Sequence, residues 1–396
     1  MDGSSVPPTA ARWQGIPANR QEVWANRQEA RASRQEAFWT LVDQQAGQLT
    51  ARILQQVLLD QQQDILKARW NQRPSGRRGW RNGYYPRRLL TRQGLVAMKI
   101  PRCRNGPMDL GLLFERYQRR VADVDRALRR AVLLGASTRD TAQLAEQVLG
   151  GTLSHQAVSR LMRWLDQQLL GWRQQPIVPV YKVVYIDGMY VSVRGLGKRT
   201  VMIAAGRRDD GGLDVLGFCV SAGESCGALL ANLRRRGLEG VQLFVSDESN
   251  AIRSALENVY PEVPWQHCCF HRLAALRAQI GPQPYRADMV RQAACIFRCP
   301  SRPAAREQAL AWAHRWRAQA PWPVQQFMID LTNSLTFYDL PKELWKRART
   351  NNPLERLIRT LRMRLRPMGC HHHEPAVERA VFGQLARWHL LGTYTT

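Results

Sequence analysis

The sequence predicts a multidomain α + α/β protein, helical and basic in its first half, with a mixed sheet at the centre of its second. Three observations predict this. A helix-compatible repeat opens the chain, with Arg-Gln-Glu at 20, 27 and 34. From Val178 the pattern changes to β-branched and aromatic runs, which then alternate with helical stretches. Across all 396 residues, 58 Lys and Arg face 32 Asp and Glu, a net charge of +26 and a pI near 10.8. A surface so basic calls for a polyanion, and nucleic acid is the commonest. No apolar run approaches the roughly 18 residues a membrane span needs, so no membrane partner is expected. The polar start "MDGSSVPPTAARW" has no signal-peptide pattern, and the 8 scattered cysteines follow no disulfide spacing. The expected setting is therefore the cytoplasm.

In chain order, the first 12 residues read as disordered. Residues 19–66 read as helix, solvated on one side or dimerising, with Trp24, Arg31 and Phe38 sharing one heptad position. "RRLLT" and "LVAMKIPR" around "RQG" predict a hairpin. Three helical stretches follow, near 121–134, 138–149 and 154–170, with Ser137 and Ser154 as N-caps. Their spacing fits a helix-turn-helix as well as a plain bundle. In the first case Ser154, His155, Gln156, Ser159 and Arg160 open the recognition helix and face base edges. "YKVVYIDGMYVSVRG", "RTVMIAAGRR", "LDVLGFCVSA" and "GVQLFVSD" read as strands, "GALLANLRRRGL" and "SNAIRSALENVY" as helices. After "PWQHCCFHRL" the chain reads as helical almost to its end. The expected divisions are 1–74, 75–175, 176–274, 275–345 and 346–396.

Three carboxylates stand out, each with a plain local alternative. Asp187 interrupts an apolar strand, where Asp-Gly also fits a tight hairpin turn. Asp247 ends a strand before a helix, where Asp also serves as an N-cap. Glu355 is the only acid in "RTNNPLERLIRTLRMRLRP", where Asn352, Pro353 and Glu355 also read as a capping box. Brought together in a polyanion-binding protein, three such groups can hold two divalent cations about 4 Å apart for phosphoryl displacement. Magnesium, with its preference for oxygen, suits them. On the last helix Glu355, Arg359, Arg362 and Arg366 share one face, beside an apolar stripe of Leu354, Ile358, Leu361 and Leu365. Cys268, His271, Cys295 and Cys299 form a formally possible zinc set. In the alternative reading Cys268 is packed and His271 orients a metal ligand or phosphate. The run His371 to His373 could bind metal or DNA, but such a run is more often simply exposed.

From about Arg81 onward the chain resembles the Mutator-type bacterial insertion-sequence transposases. "RNGYYPRRLLTRQG", "IPRCRNG", "GASTRD" and "SHQAVSRL" resemble the family's DNA-binding half. "YIDGMYVSVR", "GESCGALLANLRRRGLEGVQLFVSD", "PWQHCCFHRL" and "RTNNPLERLIRTLRMRLRPMG" resemble its catalytic half. The chain departs from the family at Cys226-Gly227, where Trp is usual, and at Ala251, where Gly is usual.

The resemblance implies an RNase H-like domain whose DDE residues are Asp187, Asp247 and Glu355, with gaps of 247 − 187 = 60 and 355 − 247 = 108. The long second gap matches an all-helical insertion near 275–345, and Cys268 and His271 match the family's C-x-x-H element. Also implied are two Mg2+ (Mn2+ can substitute) and terminal inverted repeats and target DNA as double-stranded substrates. At least a homodimer and a nucleoid-associated bacterial location follow. Arg349, Arg356, Arg359, Arg362, Arg364 and Arg366 are the expected phosphate contacts. Two other readings stand beside this one: a catalytically silent, transposase-derived DNA-binding protein, and an RNase H-like nuclease without strand transfer.

Overall fold

A computed structural model describes residues 18–104, 113, 115, 117–222, 226–329 and 331–392, with side chains from residue 27 onward. The expectation of disorder for residues 1–12, and the heptad place of the Trp24 side chain, lie outside these. The chain divides into two compact units. The first comprises 1–130 and 138–158, the second 131–137 and 159–396.

In the first unit, helix α1 (Ala18–Leu66) runs unbroken for 49 residues. Strands β1 (Trp80–Thr91) and β2 (Gly94–Arg104) form the expected antiparallel hairpin, closing at Thr91 opposite Gly94. Leu58 of α1 packs with Leu89, Val96, Met98 and Ile100 of the hairpin. The free edge of β2 is satisfied by a side chain: Gln55 accepts from the Lys99 N–H at 2.9 Å and donates to the Lys99 carbonyl at 2.8 Å. Helices α2 (Ala122–Leu134) and α3 (Thr138–Leu149) follow. The third helical stretch, expected to be one helix to residue 170, is two. They are α4 (His155–Met162) and α5 (Trp164–Gln174), separated by a single turn residue, Arg163, and α5 belongs to the second unit.

The second unit is built on a mixed five-stranded sheet in the order β5-β4-β3-β6-β7. Strands β3 (Val183–Val193), β4 (Gly197–Arg207) and β5 (Leu213–Ser221) form an antiparallel meander. After α6 (Gly227–Arg235), β6 (Leu243–Ser246) lies parallel to β3. After α7 (Asn250–Val259), β7 (Trp265–His267) lies parallel to β6. Side chains alternate along the strands. Val184, Ile186, Met202, Ala204 and Phe244 bury with Leu229, Leu230 and Leu233 of α6 and Ile252 and Leu256 of α7. Val183, Tyr185, Met189, Ile203, Leu243 and Val245 bury on the opposite face.

The remaining helices follow β7: α8 (Cys269–Ile280), α9 (Arg286–Ile296), α10 (Arg302–Trp316), α11 (Pro321–Met328), α12 (Lys342–Ala348), α13 (Asn352–Leu365) and α14 (Glu374–Arg387). Three-residue β7 carries too little pattern to stand out in the sequence. Its buried Gln266 donates to the Ser334 carbonyl at 2.8 Å and accepts from the Phe337 N–H at 2.8 Å, fixing the strand to the helical stretch. Among the described residues, no helix is long and apolar enough to cross a membrane.

Candidate active site

Asp187 sits in the middle of a continuous strand. The tight-turn alternative at Asp187-Gly188 does not occur: β3 pairs with β4 from Val184 to Val193, with Asp187 opposite Ile203. On its other side β3 pairs with β6 only as far as Tyr185 opposite Val245. Two residues beyond that pair stand Asp187, still on β3, and Asp247, one residue past the end of β6. The parallel register therefore sets the two carboxylates level, on the face that buries Tyr185 and Val245. Asp247 is not a helix cap, because Ser249 caps α7 by accepting from the Ile252 N–H.

Helix α13 lies over this face. Leu354, Leu357, Ile358, Leu361 and Leu365 are buried in the same core as Val183 and Tyr185, which bears out the apolar stripe. The capping box at its start does not form. Asn351, not Asn352, takes the N-cap position, and it makes no side-chain capping bond. Its fully buried side chain instead donates to the Ile186 carbonyl at 3.4 Å, beside Asp187. The Asn351 N–H donates to the Cys268 sulfur at 3.3 Å, and its carbonyl accepts from the Glu355 N–H at 3.0 Å. One residue thus ties β3, the start of α8 and the first turn of α13. Nearby, the Tyr185 hydroxyl donates to the Arg347 carbonyl at 2.7 Å. Neither residue carries a signal in the sequence that separates it from an ordinary polar or aromatic residue.

The charges meet here. Burial pushes the Asp187 carboxyl up to about 6. The Gly188 N–H, 2.7 Å from Oδ1, and His271 oppose the shift, while Asp247 and Glu355 add to it. His271 Nε2 is 3.6 Å from Glu355 Oε1. The Cys268 side chain raises this imidazole most, burial opposes, and Glu355 and Asp187 contribute, leaving it near 9. Glu355 Oε1 is buried without a hydrogen-bond partner. Three acids, one of them held toward its protonated form chiefly by burial and further by the other two, suit oxygen-coordinated cations, but among the described residues they do not form one group with ligand atoms all within 4.8 Å. Ionising all three without a counter-charge costs free energy that a divalent ion would offset.

The whole sequence gives the decisive comparison. The family model "Transposase, Mutator family" matches residues 22–389. The chain belongs to this family. It is 33% identical over 310 residues to the transposase for insertion sequence element IS406 of Burkholderia multivorans, covering 76% of this chain and 79% of that protein. It is 29% identical over 318 residues to the transposase for insertion sequence element ISRM5 of Rhizobium meliloti, covering 79% of each.

Within this transposase, Arg356, Arg359, Arg362, Arg364 and Arg366 are exposed along α13 and just beyond it. Arg349 differs: it is half-buried and donates to the Phe297 carbonyl at 2.8 Å. Arg362 and Arg366 join Lys198, the exposed Tyr190 and His371 in a groove of about 380 Å³ along the far half of β3. The histidine run is not simply exposed. His371 is buried, its N–H donating to the Ser192 carbonyl and its carbonyl accepting from the Arg194 N–H, while His373 caps α14. Cys295 and Cys299 join no metal-ligating group with Cys268 and His271 among the described residues, so the four-ligand zinc set is not assembled. Ser154, His155, Gln156, Ser159 and Arg160 are all exposed, and the Ser154 hydroxyl accepts from the Ala157 N–H as the expected cap.

Proposed function

We propose that this transposase binds the terminal inverted repeats of its own insertion sequence and cleaves and joins DNA by two-metal phosphoryl transfer. The observation that carries this is that Asp247 and Glu355 both act electrostatically on Asp187, on the sheet face that α13 covers, beside the exposed arginines of that helix. Support for an RNase H-like fold is the antiparallel meander followed by two parallel strands, with the first acid on the central strand. Residues 275–345, from within α8 to within α12, are the proposed helical insertion.

Asp187 would be shared by two Mg2+, with Mn2+ an acceptable substitute, and Asp247 and Glu355 would each complete one set. Such a pair of ions would supply Lewis-acid activation of a water or 3′-hydroxyl and charge stabilisation at the leaving oxygen. The residues themselves position and screen. Asn351 ties β3 to the start of α13 and Tyr185 ties β3 to the end of α12, so the carboxylates meet substrate preorganised. His271 holds a proton beside Glu355 and restrains that carboxylate. Arg356, Arg359, Arg362, Arg364 and Arg366 neutralise phosphates, giving affinity that falls with salt. Arg349 braces the start of α13 through Phe297. Helices α3 and α4, with Ser154, His155, Gln156, Ser159 and Arg160 at the start of α4, are the proposed helix-turn-helix reader of element ends. Two ends must be joined, which calls for at least a homodimer acting on double-stranded DNA in the bacterial cytoplasm, at the nucleoid.

The test is cleavage of a labelled duplex carrying the element's ends, with Mg2+, comparing wild type with Glu355→Gln and running gel-shift binding in parallel. Loss of cleavage with binding retained is the expected result. Equal cleavage by both would reduce Glu355 to a structural residue. Binding without cleavage by wild type would favour a silent DNA-binding protein.

A further inference from the structure

A second donor set shares one member with the acidic site. Cys268, His271 and Glu355 each offer one ligand atom, and the three atoms lie within 4.8 Å of one another. No other group of three such residues occurs among the described residues. Cys268 occupies the N-cap position of α8 and His271 stands three residues later, so the first turn of that helix brings sulfur and imidazole to one side. The Asn351 bridge then holds the start of α13 against the same sulfur. Cys268 is fully buried, whereas the side chains of His271 and Glu355 are 33% and 19% exposed, so an ion can arrive past them.

Two atoms in this cluster lack what burial normally demands. His271 Nδ1 and Glu355 Oε1 are both buried without a hydrogen-bond partner. Such an atom is unfavourable until something bonds to it. One sulfur, one nitrogen and one oxygen make a poor set for magnesium, which takes oxygen. They match the thiolate, imidazole and carboxylate donors of zinc, whose reactive sites use three protein ligands and keep a fourth position open.

We propose that Cys268, His271 and Glu355 bind a thiophilic divalent cation of the zinc class, and that its binding silences the transposase by taking Glu355 out of the acidic set. Binding displaces the Cys268 thiol proton, and the imidazole proton where present, to solvent as the metal–sulfur and metal–nitrogen bonds form. The silencing rests on the function proposed above; the metal binding does not. This set differs from the one expected of the sequence, because Glu355, 84 places beyond His271 (355 − 271), replaces Cys295 and Cys299.

The experiment titrates the chelator-treated full chain with Co2+ as a spectroscopic stand-in for zinc. Wild type should show a thiolate-to-cobalt charge-transfer band saturating at one equivalent. Zinc should displace it and excess Mg2+ should not. The band should persist in Asp247→Asn and Cys295→Ser and vanish in Cys268→Ser, with circular dichroism and DNA gel shift reporting that the variant is folded. Glu355→Gln, which leaves the thiol untouched, should weaken cobalt affinity at least about tenfold, and this arm decides the matter if Cys268→Ser does not fold. No band in wild type, a band surviving Cys268→Ser, or unchanged affinity in Glu355→Gln overturns the site. In the cleavage assay, one equivalent of zinc should stop wild type, whereas Cys268→Ser, judged against its own zinc-free rate, should be inhibited at least about tenfold less. Equal inhibition of both overturns the silencing. If wild type never cleaves, the function proposed above fails while the cobalt result still stands.

Discussion

Helices α1 and α13 use the same two residue types to opposite ends. In α1 the repeats place Glu29 and Glu36 among Arg27, Arg31 and Arg34, and every side chain from Arg27 to Gln45 is exposed. In α13 a single glutamate stands among arginines, but five buried apolar side chains press the helix onto the sheet and turn Glu355 inward toward His271. A solvated carboxylate is an ordinary surface charge worth a few tenths of a kcal/mol in a helical pair. Under a packed helix, beside two other acids, the same group becomes costly without a cation and useful with one. The difference lies in burial.

The sharpest way to break this comparison is to neutralise both kinds of glutamate. Glu355→Gln should lower the rate of end cleavage by at least about a hundredfold, the scale of removing one charged group aimed at a reacting centre. Glu29→Gln and Glu36→Gln should leave that rate within about twofold, because exposed substitutions cost within ~0.5 kcal/mol. A comparable loss in the α1 variants would remove the distinction.

The pH dependence of stability gives the next largest effect. Asp187 has its carboxyl raised from 3.8 to about 6 in the folded chain, so the native state holds its proton to higher pH than the unfolded state. The resulting stability is present below about pH 4 and is lost as pH rises through 6, by at most about 3 kcal/mol. In chelator, Asp187→Asn should therefore unfold at higher urea than wild type at pH 7 and match it at pH 4. Saturating Mg2+ should narrow the difference. Equal midpoints at both pH values would show that Asp187 is not under strain.

Asn351→Ala should cost about 1–2 kcal/mol in urea unfolding, since it strips a buried hydrogen bond to the Ile186 carbonyl. The neighbouring exposed Asn352→Ala should cost less than about 0.5 kcal/mol. Equal costs would return the N-cap role to Asn352. The smallest effect belongs to the exposed arginines. Arg362→Ala and Arg366→Ala should each flatten the slope of log affinity against log salt by about 0.9, without changing which sequence is preferred.

Much of this was legible in the sequence because it is periodic or punctuated. The β1–β2 hairpin follows from two apolar-alternating runs around Arg92-Gln93-Gly94, and β3 to β6 from β-branched runs of strand length. The stripe Leu354, Ile358, Leu361, Leu365 follows from helical spacing, and it correctly named the buried face. What escaped has no period. Arg163 breaks a helix in which nothing local demands a break, β7 is three residues long, and His371 is buried by a bridge to the end of β3.

By itself the sequence determined the element types, the basic character of the chain and which acids were worth watching, because these depend on neighbours a few residues apart. Only the tertiary structure decided that Asp187 lies mid-strand, that it stands level with Asp247, and that Glu355 turns toward His271. Those facts depend on strand register and helix packing between segments 60 and 108 positions apart, as 247 − 187 and 355 − 247 give. Local propensity carries no information about which distant backbone a strand will pair with, or which buried asparagine will hold the pairing in place.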